Sequence, residues 1–308
     1  MIEVHNVSKR YGNVQALDGV SLRAARGSVL GLLGQNGAGK TTLLNILTGY
    51  LAPTSGYALV EGHDPLLSPE EAKRHLGYMP EHPPLYDEMT VWEYLRFASE
   101  LRGVLRGAIP AHVEEIMEKT GLADMRNRLL GHLSKGYRQR AGLAQALCGD
   151  PEVLILDEPT SGLDPKQIAE IRALIHELAQ GRTIVFSSHI LTEVAQLCDH
   201  VVILNHGKVK LDMPTGSASG RREVTLLCAV GAQEGELMPA LQGLPGILKV
   251  QKQPDSAPGA LSLALTFGEN AKPEETLFTL LSGLALPLLR LSRQEDSLEK
   301  IFLRAISE

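Results

Sequence analysis

The segment Gly34-Gln-Asn-Gly-Ala-Gly39-Lys40-Thr41 constrains this chain more than any other. Its spacing is G-x-x-x-x-G-K-[S/T], in which glycines let successive backbone N–H groups turn inward around polyphosphate oxygens. Before it, Ser28–Leu33 is a short apolar run; after it, Thr41–Thr48 has helical spacing that stops at Gly49. A strand that enters a glycine-rich turn and opens a helix begins an α/β unit on a parallel sheet. The helix N-terminus adds its positive end at the same point. Gly34, Gln35, Asn36, Gly37, Ala38, Gly39, Lys40, Thr41 and Thr42 are therefore read as a nucleotide-binding loop. Lys40 is placed to reach the β- and γ-phosphates and Thr41 to bind Mg²⁺.

Two further β-rich runs, Val153–Leu156 and Thr183–Ser187, read as buried central strands, each followed by a helix-like segment. The first ends in Asp157-Glu158. At the carboxyl edge of a parallel sheet, Asp157 can orient Mg²⁺ while Glu158 faces an attacking water. Taken alone, the same residues also read as an acidic turn. Between the Ser28–Leu33 run and Val153, Met89–Gln145 reads as mostly helical. Thr90-Val-Trp-Glu93 is a capping box, and Val91, Tyr94, Leu95, Ala98 and Leu101 share one face of the helix it opens. Pro80–Pro84 marks the entrance to this helical insertion, and Gly103–Pro110 breaks its helices.

The texture changes after Leu211, where Pro214-Thr-Gly-Ser-Ala-Ser-Gly220 has linker composition. Next come a strand (Glu223–Ala229), a helix (Glu234–Leu244) and two strands (Ile247–Gln251, Ala260–Thr266). A helix (Glu274–Leu281), a strand (Leu286–Leu291) and a closing helix (Asp296–Ile306) complete the chain. The β-α-β-β-α-β order predicts a small ferredoxin-like sandwich. A length of 308 residues is compatible with two domains.

A formal net charge of −6 argues against a protein built to grip nucleic-acid phosphates. No apolar run approaches the ~18 residues that span a membrane. The start, Met1-Ile-Glu-Val-His-Asn-Val, has neither the basic end nor the apolar stretch of a signal peptide. Cys148, Cys198 and Cys228 are too few and too scattered for a disulfide framework or a zinc knuckle, so a reducing, cytoplasmic setting is expected. The ten histidines show no metal-ligand spacing. Arg102, Arg106, Arg126 and Arg128 read as a solvated helical face, and Trp92 as core of the helical insertion.

Leu133-Ser-Lys-Gly-Tyr-Arg-Gln-Arg140 resembles the signature motif of ATP-binding cassette (ABC) ATPases. It is followed by Asp157/Glu158, by Ser161-Gly-Leu-Asp164, which resembles the D-loop, and by Ser187-Ser-His189, which resembles the switch histidine. Tyr11, in Lys9-Arg-Tyr-Gly, sits where that family stacks an aromatic ring on adenine. The resemblance spans about residues 1–212. It implies an α/β P-loop ATPase of ABC type with an inserted helical subdomain (about 85–145), a linker (213–221) and a C-terminal α+β accessory domain (222–308). It also implies ATP and Mg²⁺ as cofactors, and a head-to-tail homodimer or pseudo-homodimer of ATPase subunits. Ser134, Lys135, Gly136, Tyr137 and Asp164 would then act across the dimer, Glu158 as general base and His189 on the γ-phosphate.

Two positions depart from the commonest pattern. Gly77-Tyr-Met-Pro-Glu81 has Glu where most members have a glutamine that senses Mg²⁺ and the membrane partner; a carboxylate still ligates Mg²⁺ well. Lys135 and Tyr137 replace the usual Gly and Gln of the signature. Both departures, and the ending Glu295-Asp-Ser-Leu-Glu-Lys-Ile-Phe-Leu303, resemble the subfamily that pairs with ABC-2-type transmembrane permease subunits, mostly exporters. The chain would then sit at the cytoplasmic face of the inner or plasma membrane, touching it only through that partner, with no nucleic acid involved. A soluble ABC ATPase acting on ribosomes or DNA is the alternative. One phosphate loop, and a Thr42-to-Leu133 interval too short for a long coiled coil, weigh against it. A catalytically weak regulatory subunit is a third reading, and intact Lys40, Asp157, Glu158 and His189 argue against that.

Overall fold

The structure is a computed structural model that describes residues 1–215, 224–230, 234–244, 246–253, 261–268 and 273–294. In chain order the first 215 residues run β1 (Ile2–Tyr11), β2 (Val14–Ala24), β3 (Val29–Leu33), α1 (Lys40–Leu47), β4 (Ser55–Val60), α2 (Pro69–Arg74) and β5 (Leu76–Met79). Then come α3 (Val91–Leu101), α4 (Ile109–Lys119), α5 (Lys135–Leu147), β6 (Val153–Asp157), α6 (Pro165–Leu178), β7 (Thr183–Ser188), α7 (Leu191–Leu197), β8 (His200–Asn205) and β9 (Lys208–Pro214).

The main sheet has the order β5-β6-β7-β3-β8-β9. All of its pairings are parallel except the β8–β9 edge. Every residue of β3, β6 and β7 is buried, as the unbroken apolar runs predict for strands covered on both faces. A second, antiparallel sheet, β2-β1-β4, comes from residues the sequence reading leaves unassigned. One core joins the two sheets through α1: Val4, Val7, Leu17 and Val20 pack with Leu43, Leu44 and Leu47 and with Leu30, Leu32, Ile155 and Val185. The helix after the glycine loop is therefore held rigidly from several sides.

The helical insertion is α3, α4 and α5, joined by turns rather than continuous helix. The capping box at Thr90 forms: Glu93 N–H donates to Thr90 Oγ1 at 3.2 Å, and Thr90 N–H donates to Glu93 Oε2 at 2.9 Å. Val91, Tyr94, Leu95 and Ala98 are buried, but Leu101 is 72% exposed, because α3 ends there and its last turn runs past the packed face. Pro110 opens α4 within its first turn, where its missing N–H is not needed, instead of only breaking a helix. Arg102, Arg106, Arg126 and Arg128 all lie outside the α-helices, so they form no helical face. Arg102 donates to Lys73 O at 2.7 Å, Arg106 pairs with Glu100, and Arg126 pairs with Glu114. Arg126 also stacks 3.6 Å over the half-buried Trp92 ring, so Trp92 is a cation–π platform rather than core.

The first linker residues are also corrected: Met213 and Pro214 belong to β9, opposite Val201 and His200. Residues 216–221 of that linker, and the closing helix at 296–306, lie outside the described residues.

The chain divides into two compact units, with the break after Thr215. The second contains β10 (Val224–Val230), α8 (Glu234–Gln242), β11 (Ile247–Lys252), β12 (Leu261–Phe267), α9 (Pro273–Gly283) and β13 (Leu288–Gln294). Its sheet order is β11-β12-β10-β13, every neighbour antiparallel, in the β-α-β-β-α-β sequence expected. Alternate residues Leu261, Leu263, Leu265 and Phe267 pack with Leu237 and Leu241 of α8 and Leu277 and Leu281 of α9. That alternation is the period-2 pattern of a sheet with one face on helices.

Candidate nucleotide site

Four neighbouring strands deliver their C-terminal ends to one place: β5 leads to Glu81, β6 ends in Asp157 before Glu158, β7 leads to His189, and β3 leads into the glycine loop. This is the carboxyl edge of the sheet, where open α/β folds bind ligands. A cavity of about 390 Å³ there is lined by Gln35, Asn36, Gly37, Gly39, Lys40, Thr41, Thr42, Glu81, Glu158 and His189, with Ala16 and Ser161. Gly39 has φ 107° and caps α1, and a Cβ on it would lie 2.7 Å from Ala16 O, so only glycine fits that turn.

Lys40 is buried and donates to Gly34 O at 2.7 Å, curling over its own loop. Its ammonium also lies 3.3 Å from Glu158 Oε1, with both side chains under a tenth exposed. The other carboxylate oxygen, Glu158 Oε2, is 2.8 Å from His189 Nδ1. An ionised carboxylate only accepts, so Nδ1 carries the proton of that bond. Glu158 holds φ 48°, a strained backbone for a side-chain-bearing residue. Its N–H donates to Ser187 Oγ at 2.9 Å, and its C=O accepts from Ser161 N–H at 3.0 Å, which fixes the turn.

Asp157 lies beneath this layer. Its carboxylate accepts from Ser187 Oγ at 2.6 Å and from Thr41 Oγ1 at 3.3 Å. Burial pushes the Asp157 carboxyl above its ordinary range, while those two hydroxyls pull it back. Glu81 Oε1 accepts from Ser161 Oγ at 3.4 Å, and Glu81 O accepts from Gln139 Nε2 of α5 at 3.4 Å, so Glu81 links the cavity to the helical insertion.

The other expected residues stand away from this cavity. Tyr11 is 49% exposed, carries the Lys9 ammonium 5.3 Å from its ring centroid, and is not among the lining residues. Ser134 caps α5, accepting from Tyr137 N–H at 3.5 Å, and Asp164 caps α6, accepting from Gln167 N–H at 2.9 Å. Ser134 and Lys135 are exposed, Gly136 is packed under the Gln167 side chain, and the Lys135 ammonium lies against Gly162. Gly136, Tyr137 and Asp164 line a second cavity of about 490 Å³ with Arg140 and Glu170. Within one chain, then, no residue of the signature segment lines the cavity of the phosphate loop. Sequence reasoning does not single out Ala16, Thr160 or Glu193; Thr160 lies two residues past Glu158 without carrying a motif, and Ala16 and Glu193 take their places only in the fold.

The sequence pattern of the family described as ABC transporter matches residues 17–161. The chain is 34% identical over 308 residues to the bacitracin transport ATP-binding protein BcrA of Bacillus licheniformis, covering 99% of this chain and 97% of BcrA. It is 40% identical over 215 residues to the ABC transporter ATP-binding protein NatA of Bacillus subtilis strain 168, covering 68% of this chain and 87% of NatA. A solved structure described as the ATP binding subunit of an ABC transporter superposes with a TM-score of 0.66 at 31% identity, covering 71% of this chain and 92% of that one. With its cavity at the sheet edge built from the phosphate loop and two strand-end carboxylates, the chain belongs to the family of ABC transporter ATP-binding proteins and is an ATPase.

Proposed function

We propose that this chain powers an exporter, pairing head to tail with a second ATPase subunit around two ATP molecules and driving separate ABC-2-type transmembrane subunits. The observation that carries the reading is the similarity to BcrA over 99% of the chain, which takes in the second unit as well as the ATPase core. No helix among the described residues is long and apolar enough to cross a membrane, in keeping with attachment at the cytoplasmic face through a partner. The separation of Ser134, Gly136 and Asp164 from the phosphate cavity supports head-to-tail pairing, since those groups then serve the nucleotide of the facing subunit.

The residues divide the work as follows. Lys40 leaves Glu158 for the β- and γ-phosphate oxygens, and the N–H groups at the start of α1 hold the same charge. Tyr11 supplies an exposed ring for the adenine. Freed of its ammonium partner, Glu158 takes the proton of the attacking water as general base, and His189 steadies the transferring phosphoryl group. Among the described residues no three His, Cys, Asp or Glu side chains form a metal cluster, and Asp157 is a buried carboxylate with only hydroxyl partners. That donor set suits Mg²⁺, which keeps several waters and takes one or two carboxylates plus substrate phosphates. Thr41, Asp157 and Glu81 would hold it, and the ion would neutralise charge developing on the phosphate oxygens.

The test is co-purification of the full chain with a polytopic membrane protein, with ATPase activity measured on the complex. Glu158→Gln is expected to keep ATP binding, to lose hydrolysis by roughly 10²–10⁴-fold, and to accumulate as an ATP-bound dimer on size exclusion. Hydrolysis at the wild-type rate by Glu158→Gln would overturn the base assignment; repeated purification without a membrane partner would overturn the transport reading.

A further inference from the structure

Glu193, in the first turn of α7, is a carboxylate only 3% exposed. One of its oxygens, Oε2, accepts two hydrogen bonds, from Thr160 Oγ1 at 2.8 Å and from Ser188 Oγ at 2.9 Å. The other, Oε1, is buried with no hydrogen-bond partner among the described residues. A half-satisfied buried carboxylate is unfavourable, and an apolar side chain would pack there at less cost. Its two donors show what it achieves. Thr160 stands two residues beyond Glu158, in the turn where Ser161 N–H closes on Glu158 O. Ser188 stands one residue before His189, and its Oγ also accepts from Ile190 N–H at 2.9 Å. A single buried oxygen therefore ties the strained turn that carries Glu158 to the segment that carries His189. These are the two side chains whose 2.8 Å approach forms the catalytic pair.

We propose that Glu193 is a positioning residue for ATP hydrolysis, locking the Glu158 turn to the His189 segment so that base and histidine keep their mutual distance during turnover. The inference rests on the reading of Glu158 as base. Glu193 is not among the residues lining the cavity, and its two hydrogen-bond donors, Thr160 and Ser188, are not either, so its removal is expected to act on the chemical step and not on nucleotide capture. The active feature is the shared acceptor oxygen. An amide oxygen at the same position accepts the same two hydroxyls.

Steady-state ATP hydrolysis by the full-length chain, with Mg²⁺ and ATP, tests this. Glu193→Ala should lower kcat by at least about tenfold while the KM for ATP stays within about threefold. Glu193→Gln should restore kcat to within about threefold of wild type. If Glu193→Ala does not fold, the single hydroxyl deletions Thr160→Val and Ser188→Ala carry the test, each expected to lower kcat by about threefold or more without raising KM. The inference is overturned if folded Glu193→Ala keeps wild-type kcat, if Glu193→Gln is as impaired as Glu193→Ala, or if both hydroxyl deletions are silent. Glu158→Gln in the same assay separates the two readings. An inactive Glu158→Gln beside an unimpaired Glu193→Ala defeats only the tie, whereas an active Glu158→Gln defeats the base assignment on which the tie depends.

Discussion

Lys40, Glu158 and His189 form a short relay of charge and hydrogen bonding in which each group holds the next one ready. Lys40 neutralises a carboxylate that would otherwise be buried alone, and His189 takes its second oxygen. These three are legible in the sequence because local backbone geometry dictates them: a glycine loop, a strand end and another strand end. Glu193 and Thr160, and the hydrogen bonds made by the Ser187 and Ser188 hydroxyls, are not legible, because their value lies in side-chain contacts that only the fold creates. The cysteines are a simpler case, since their composition alone argues for free thiols. All three are free and buried, and burial pushes the Cys148 and Cys228 thiols up to about 11 and Cys198 higher still. Iodoacetamide at pH 8 should leave the native protein unlabelled and label three thiols after unfolding in urea, because the thiolate is the reactive form. The linkage sign follows from the same shifts. A thiol whose folded pKa is raised stabilises the fold below its unfolded value near ~8.5 and loses that contribution as pH rises towards the folded value. Urea midpoints should therefore fall between about pH 8.5 and 11, and Cys148→Ala should lessen that fall.

Elements succeed or fail in the sequence according to whether their signal is local. The capping box of α3 is local, and it is present with both reciprocal hydrogen bonds. Removing its hydroxyl in Thr90→Ala should destabilise the first unit by about 1 kcal/mol, read as a lower urea midpoint at unchanged slope. Helix ends are less legible. Leu101 continues the apolar stripe by spacing yet lies where α3 runs out of partners, and the four arginines look contiguous only when the intervening turns are ignored. Least legible is a close approach between elements. Gly77 on β5 faces α5 so closely that a Cβ there would fall 2.0 Å from Ala146 O and 2.7 Å from Leu154 Cδ2. Gly77→Ala must therefore push β5 from α5, at a cost of about 1–3 kcal/mol or more. Because β5 delivers Glu81, the same variant should lower ATPase activity by more than a comparably destabilising change elsewhere, such as Thr90→Ala.

At the scale of the whole molecule, the described residues of each unit hold their own hydrophobic packing: in the first, a core around α1 between its two sheets, with further buried side chains in the helical insertion; in the second, a core between the β10–β13 sheet and its two helices. Both were foreseeable: the first from the strand–loop–helix pattern, the second from the order of its elements. The antiparallel β1-β2-β4 sheet was not, because its strands are half exposed and carry irregular register, so their apolar alternation is broken. Separate cores predict separate unfolding. The residues lining the proposed nucleotide cavity lie between Ala16 and His189, and Tyr11 also belongs to the first unit, so nucleotide bound as proposed would stabilise the first unit alone. At a concentration one hundred times its dissociation constant, ATP adds about 2.7 kcal/mol to whatever unfolds with the site. For a unit of this size that is a rise of roughly 5–10 °C in Tm. Calorimetry of Glu158→Gln, which is expected to hold ATP without consuming it, should then show two transitions, with Mg²⁺ and ATP raising one and leaving the other in place. A single transition that moves as a whole would mean that the second unit unfolds with the ATPase core, and that each core depends on the other for its stability.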